Sequence, residues 1–326
     1  MNDTIRQCMW SGSKVLLLAT CSLLFAACDF SGEQLVVDLE QRITDEQSRY
    51  ATQPEITDIR ILRFGFDTRA SIEEDARQYL PFLDYLERAT GYRFQLHFTE
   101  EDGDIIDDLG RGDIHFAAIG AGSYLLAQHQ YDVLPLVRGR NTQGRAEYSS
   151  CLVIAPNSAI DGVPQLRGKR IAFGSTTSTQ GHLIPRVMLR EAGIRLADLA
   201  AYRYTGSHHN CANAVISGEY DACGLQDTLA DSLAAKGLVR ILARSDYYPS
   251  SGISAYGDVD PAILERVRQA LLDFDPAGKH SQSLYHWHRT EMPLGFIVTK
   301  DEDYHHMRHW ALEFGLLPPM GKKENP

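Results

Sequence analysis

Long apolar runs are missing from this chain. The stretch that comes nearest to a membrane span, Val15 to Ala27, has 13 residues, short of the roughly 20 that a crossing helix needs, so a polytopic membrane architecture is excluded. Basic charge is also scarce. Lys and Arg number 32 against 43 Asp and Glu, giving −11, and no basic stretch interleaved with aromatics is present that could follow a phosphate backbone, so a nucleic-acid partner is not expected. Cysteines number six and prolines 13, too few for a disulfide scaffold or a collagen-like chain. What is present is a composition 44% hydrophobic and 23% charged over 326 residues. That is enough apolar material for packed cores and about the length of two ordinary domains.

The N-terminus explains its own composition. Arg6 and Lys14 precede the short apolar run, which ends in Ala26 and Ala27 before Cys28; this order predicts a cleaved export signal over residues 1–27. The LLFAAC ending resembles the lipobox of bacterial lipoproteins, which implies that Cys28 becomes a lipid-bearing mature N-terminus and a membrane anchor. Asp29 after it resembles the signal that retains enterobacterial lipoproteins at the inner membrane. Residues 28–55 read as an acidic tether with a short helix near 35–43. Cys151, Cys211 and Cys223 are then the remaining thiols of an exported chain. A Cys211–Cys223 bridge is the favoured pairing, with three buried thiols as the alternative.

From Ile56 onward the pattern alternates. Strand-like IRILRFGF is followed by a helix whose apolar residues Tyr79, Phe82, Leu83 and Leu86 recur at helical spacing up to Gly91. FQLHF, IHFAAIG and VLPLV continue the strands, and YSSCLVIAP and GKRIAFGS begin a second set. Such alternation argues for an α/β fold with parallel-rich sheets. Two βα halves with the chain crossing twice make a clam of two lobes, the first from 56–147 and 250–326, the second from 148–249. Ligands of such sheets bind at the carboxyl ends of the strands. The helices at 261–274 and 307–316 are expected to pack back on the first lobe.

The segment RIAFGSTTSTQGHLIPRVML places hydroxyl residues Ser175 to Thr179 between a strand and a helix. A helix start offers unpaired N–H groups and partial positive charge, so it can hold an oxyanion with Ser178 and Thr179 as neutral donors; a plain N-cap is the alternative. Pro185 lies slightly deep for a first-turn proline and predicts a tight or kinked first turn.

Taken in order, GDIHFAAIGAGSY, AEYSSCLVIAPNSAI, LRGKRIAFGSTTSTQGHLIPRVMLREAGI and YTGSHHNCANAVISGEYDACGLQDT resemble the phosphate, phosphite and phosphonate substrate-binding proteins of ABC importers. The resemblance covers about 57–320. It implies the two-lobed periplasmic binding protein fold, type II-like with a double-crossover hinge, and a small phosphorus oxyanion as ligand. The other implied partner is a transmembrane permease subunit. No cofactor, metal or catalytic residue is implied. Carried over by position, Tyr124 and Tyr148 would wall the cleft, Thr177, Ser178 and Thr179 would bind the oxyanion, and His208 would match the family histidine. His209 stands where aminoalkylphosphonate binders place a carboxylate, which implies weak binding of an ammonium group. Gln226 takes a usual Asp position, with Asp227 one place later as a further cleft residue.

Two other readings use the same residues. A ligand-sensing lipoprotein that biases a membrane sensor kinase would keep the clam, with the tether as spacer. An enzyme would need Ser178 with His182 or His208 as nucleophile and base, and no nucleophile-elbow motif is present. The histidines at 286, 288, 305, 306 and 309 lack an accompanying ligand set for zinc and read as surface or interface residues.

Overall fold

The computed structural model describes residues 61–67, 72–100 and 103–317. The leader, Cys28 and the acidic tether lie outside the described residues.

Eight βα-type steps build two sheets. The chain begins with β1 (Ile61–Phe66), α1 (Ile72–Thr90), β2 (Arg93–Leu96), α2 (Ile105–Gly110), β3 (Phe116–Ile119), α3 (Ala121–Tyr131) and β4 (Leu134–Gly139). It passes through β5 (Glu147–Tyr148) into β6 (Ser150–Ile154), β7 (Arg170–Phe173), α4 (Ile184–Glu191), β8 (Ala201–Tyr204), α5 (His208–Ile216), β9 (Ala222–Gln226), α6 (Asp227–Ala235) and β10 (Arg240–Arg244). The return runs through β11 (Tyr248–Pro249) to β12 (Gly252–Ala255), α7 (Pro261–Leu272), β13 (Phe296–Val298) and α8 (His305–Glu313).

The first sheet has the order β13-β4-β12-β3-β1-β2 and the second β10-β6-β9-β7-β8. Apart from the edge strand β13, the two orders are the same. In each, the strand that has just crossed from the other lobe, β12 or β6, is inserted antiparallel beside the third strand. The sheets are therefore mixed, parallel only among β1–β3 and among β7–β9. A chain that arrives from the hinge enters its sheet from the end where the neighbouring βα strands finish, so its first strand runs against them. The two crossovers pair with each other at β5 and β11, with Tyr148 opposite Tyr248.

Alternate residues of the strands face opposite layers. In the first lobe, Phe82 stacks on Trp287 with ring centroids 4.9 Å apart, and Phe274 and Phe296 complete that aromatic core. In the second, Cys151, Val153, Ala172, Cys223 and Leu225 turn to one face, beneath Cys211 and Val215 of α5.

Helix α8 does more than pack back on the first lobe. Tyr304, just before it, meets Tyr124 of α3 at 4.5 Å between rings, while Glu313 accepts a hydrogen bond from Arg190 of α4 at 2.9 Å and Phe314 lies under the Arg186 guanidinium at 4.3 Å. The C-terminal segment thus straps both lobes. Among the described residues, no helix is long and apolar enough to cross a membrane, and no group of three or more His, Cys, Asp or Glu is set to hold a metal.

Candidate functional site

The carboxyl ends of the parallel strands β1, β3, β7, β8 and β9 lead into residues that line one cleft between the sheets. Asp67 follows β1, Gly120 and Ser123 begin α3, Ser175 and Thr177–Gln180 precede α4, Ser207–His209 begin α5 and Thr228 begins α6; all line one cavity of about 690 Å³. Several helix starts around one space bring N–H groups and partial positive charge together without a cluster of Lys or Arg.

The 175–179 segment is the most organised wall. Ser178 accepts the N–H of Gly181 at 2.9 Å, so it is an N-cap; its own hydroxyl hydrogen is still available to a ligand, and the two roles coexist. The turn Thr179–Leu183 is widened, with the Leu183 N–H reaching back to the Ser178 carbonyl at 3.0 Å. In place of the tight or kinked turn expected near Pro185, the turn before it is wide, of π type. His208 packs close over this turn: a Cβ on Gly181 would come within 3.1 Å of its Cε1.

The two walls touch. Thr179 Oγ1 accepts the N–H of Gly122 at 2.7 Å, and a Cβ on Gly122 would stand 2.3 Å from the Thr177 carbonyl oxygen. Only glycine permits this approach. On the other side, Gln226 Nε2 donates to Glu291 Oε1 at 3.2 Å, and Ser251 at the hinge donates to the other oxygen of the same carboxylate.

Of the residues expected in the site, Tyr148, Thr177, Ser178, Thr179, His208 and His209 do line the cavity. Tyr124 does not. It is 2% exposed, its ring is turned into the core against Tyr304, and its hydroxyl donates to Asp301 at 2.5 Å. Burial first, then that carboxylate, pushes its pKa far up. One residue earlier, a helical step of 100°, Ser123 faces the cleft. Asp227 is also absent from the lining. Its carboxylate accepts the Ser149 N–H at 3.0 Å, the Ser149 hydroxyl at 3.2 Å and the Thr228 N–H at 2.8 Å, which makes it an anchor of the hinge.

Other lining residues carry no local sequence signal. Arg289, Thr290 and Glu291 come from the loop between α7 and β13, Asp67 from just past the end of β1, and Glu74 and Asp75 from the first turn of α1. The loop is fixed by buried Trp287, whose indole N–H donates to the Met292 carbonyl at 2.9 Å, and His286 before it adopts a left-handed φ of 46°. Among the described residues Arg289 is the cavity's guanidinium. The expectation that an ammonium group would find no carboxylate rested on position 209, and Asp67, Glu74, Asp75 and Glu291 remove that premise.

His182 is not placed to serve Ser178 as a base. His182 is fully buried, its Nδ1 donates to the Thr176 carbonyl at 2.7 Å and its Nε2 accepts from the Tyr204 hydroxyl at 3.1 Å. Burial holds its pKa down at about 4.

Residues 64–304 match the family described as the periplasmic phosphonate substrate-binding protein of ABC transporters. The chain is 25% identical over 206 residues to the phosphate-import protein PhnD of Mycolicibacterium smegmatis, covering 58% of this chain and 64% of that protein. Over 179 residues it is 25% identical to a probable ABC transporter phosphite-binding protein, PhnD1, of Prochlorococcus marinus, covering 52% and 54%. The matched part is thus less than two thirds of either relative. In fold it resembles the Prochlorococcus marinus PhnD1 structure in complex with methylphosphonate, with a TM-score of 0.69 at 17% identity, covering 79% of this chain and 99% of that one. A phosphonate-transporter binding component from Pseudomonas aeruginosa has a TM-score of 0.66 at 16% identity, covering 79% and 87%. With the family match spanning most of the described residues, the chain belongs to the periplasmic substrate-binding proteins of ABC phosphonate transporters, a family of transport components rather than enzymes.

Proposed function

We propose that this protein is an extracytoplasmic lipoprotein that captures a phosphorus oxyanion, whether phosphate, phosphite or phosphonate, in the cleft and delivers it to the transmembrane subunit of an ABC importer. The observation that carries the reading is the convergence of helix starts and hydroxyls on one cavity: Thr177, Ser178 and Thr179 from one side, Ser207, His208 and His209 beside them, and Arg289 opposite. Backbone N–H groups and hydroxyls are suited to an oxyanion, and the names of the relatives, phosphate import and phosphite binding, point the same way.

The acidic part of the lining adds a selection rule. A carboxylate accepts hydrogen bonds and donates none when ionised, so Asp67 and Glu291 favour a ligand that brings a donor, either a P–OH or an ammonium group. Sulfate carries neither near neutral pH. Calorimetry with phosphate, phosphite, methylphosphonate, 2-aminoethylphosphonate and sulfate at pH 6 and pH 8 tests this. At least one phosphorus anion should bind tighter than sulfate by at least about tenfold, which is about 1.4 kcal/mol, and Ser178→Ala should weaken it. Sulfate binding as tightly as all the phosphorus anions, or Ser178→Ala leaving the affinities unchanged, contradicts the reading.

Anchoring is proposed through lipid on Cys28, following the short apolar run and Ala26–Ala27 before it. Fatty-acid labelling should mark the wild type. A Cys28→Ser protein that partitions with membranes like the wild type would overturn the anchor.

A further inference from the structure

Cys211 and Cys223 are both fully buried on the same face of the second sheet. Cys211 sits in the first turns of α5, and its thiol donates to the carbonyls of Ala172 and Gly224, each at 3.3 Å. Those carbonyls flank Cys223: Gly224 is its chain neighbour, and Ala172 is its register partner on β7. In the structure both are buried, unbridged thiols, and the two carbonyls that hold Cys211 bracket Cys223 along its strand and across its register. Cys151 is less well placed. On β6 the residue directly opposite Cys223 is Val153, so Cys151 is a diagonal neighbour, separated by roughly 7–8 Å, where a disulfide needs Cβ atoms about 3.8 Å apart.

We propose that Cys211 and Cys223 form an intramolecular disulfide in the exported protein, with Cys151 left as a free thiol. Family membership puts the chain in a periplasmic class, and that compartment is oxidising. The oxidant is a disulfide donor, either a thiol–disulfide exchange protein or a small-molecule disulfide. One cysteine thiolate attacks the donor and gives a mixed disulfide; the second attacks the bound cysteine sulfur, closing the S–S bond. The donor leaves as two thiols, having taken up two electrons and two protons. Exchange takes place while the chain folds. In the folded protein burial raises the Cys223 thiol pKa well above its ordinary value, and the thiolate is the reactive form.

The bridge would have a consequence at the cleft. The turn that contains Cys211 begins with His208 and His209, which line the cavity, so the bond would pin this part of the ligand wall to β9. Because neither sulfur lies in the cavity lining, the bridge can fail while the anion reading stands.

No Lys or Arg falls between Arg203 and Lys236, so one tryptic peptide, Tyr204–Lys236, carries both cysteines. Full-length protein recovered from the periplasm is denatured, alkylated without reductant and digested. The expected peptide is two hydrogens lighter than the dithiol and takes up alkyl groups only after reduction, while the Cys151 peptide is alkylated from the start. Full alkylation of Cys211 and Cys223 without reductant overturns the proposal. A second measurement is independent of digestion: reductant should lower the melting temperature of a Cys151→Ser protein and leave that of a Cys211→Ser/Cys223→Ser protein unchanged. Equal responses of the two proteins to reductant would also overturn it.

Discussion

The carboxylate of Asp227 holds the backbone of Ser149 by accepting its N–H at 3.0 Å and its hydroxyl at 3.2 Å. Ser149 is the residue between the hinge strand β5 and the first strand of the second sheet, β6. The same stretch is tied to the Ser178–Gln180 turn. Gln180 Nε2 donates to the Ser149 carbonyl at 2.8 Å, and the Ser150 hydroxyl donates to the Gln180 carbonyl at 2.6 Å. Gln180 directly follows Thr179, so hinge and cleft wall form one hydrogen-bonded unit.

Replacing Asp227 with Ala leaves the Ser149 N–H without its charged acceptor. Stability should fall by about 2 kcal/mol, the usual scale for a hydrogen bond to a charged group, as read from urea denaturation. Phosphate affinity should change much less. A variant of wild-type stability that no longer binds would return Asp227 to the ligand wall.

Closure of the lobes on a ligand should depend on the close approach of Gly122 to Thr177. The Gly122→Ala methyl would collide with the Thr177 carbonyl, a backbone atom that cannot swing aside. Small-angle scattering should then show a wild-type radius that shrinks at saturating phosphate and a variant radius that does not. Affinity should drop by about tenfold, about 1.4 kcal/mol. Shrinkage of the variant equal to the wild type would refute the role.

The sheet-and-helix alternation and the Ser175–Thr179 turn were legible because each is local, a β run followed by cap residues and a helical period. The interior of the cleft was legible only in part. Tyr124 and Ser123 differ by one helical step, and an aromatic with a hydroxyl suits a core or a cleft equally well, so composition could not choose between them. Asp227 has a cap-like position that leaves its carboxylate free to turn either way. Arg289 and Glu291 reach the cavity because Trp287 is locked in a distant aromatic core, and nothing in their own segment announces it. The mixed sheets follow from the two crossovers, whose antiparallel insertion depends on where the chain enters rather than on residue pattern.

Tyr124→Phe separates core from cleft. The phenol–Asp301 hydrogen bond is lost, while Asp301 keeps Arg308 at 2.5 Å, so stability should fall by about 1–2 kcal/mol. Ligand affinity measured by calorimetry should stay as in the wild type. Weaker phosphate binding without loss of stability would place Tyr124 in the ligand wall after all.

His182 gives the fold a dependence on acid. Burial lowers its pKa from 6.5 to about 4, outweighing the Thr176 carbonyl that favours the charged form. The folded chain therefore keeps the ring neutral where the unfolded chain takes up a proton. Its contribution is fully present above about pH 6.5 and is lost as the pH falls toward 4, below which both states are protonated. A shift of this size corresponds to about 3 kcal/mol across that window. Urea denaturation of the wild type and His182→Asn at steps from pH 7.5 to pH 4 isolates it. The stability advantage of the wild type should narrow steadily below pH 6.5, because the variant has no imidazole to charge. An advantage that is the same at every pH would mean that the ring does not titrate with folding, and that the His182 contacts to Thr176 and Tyr204 stabilise the turn independently of protonation.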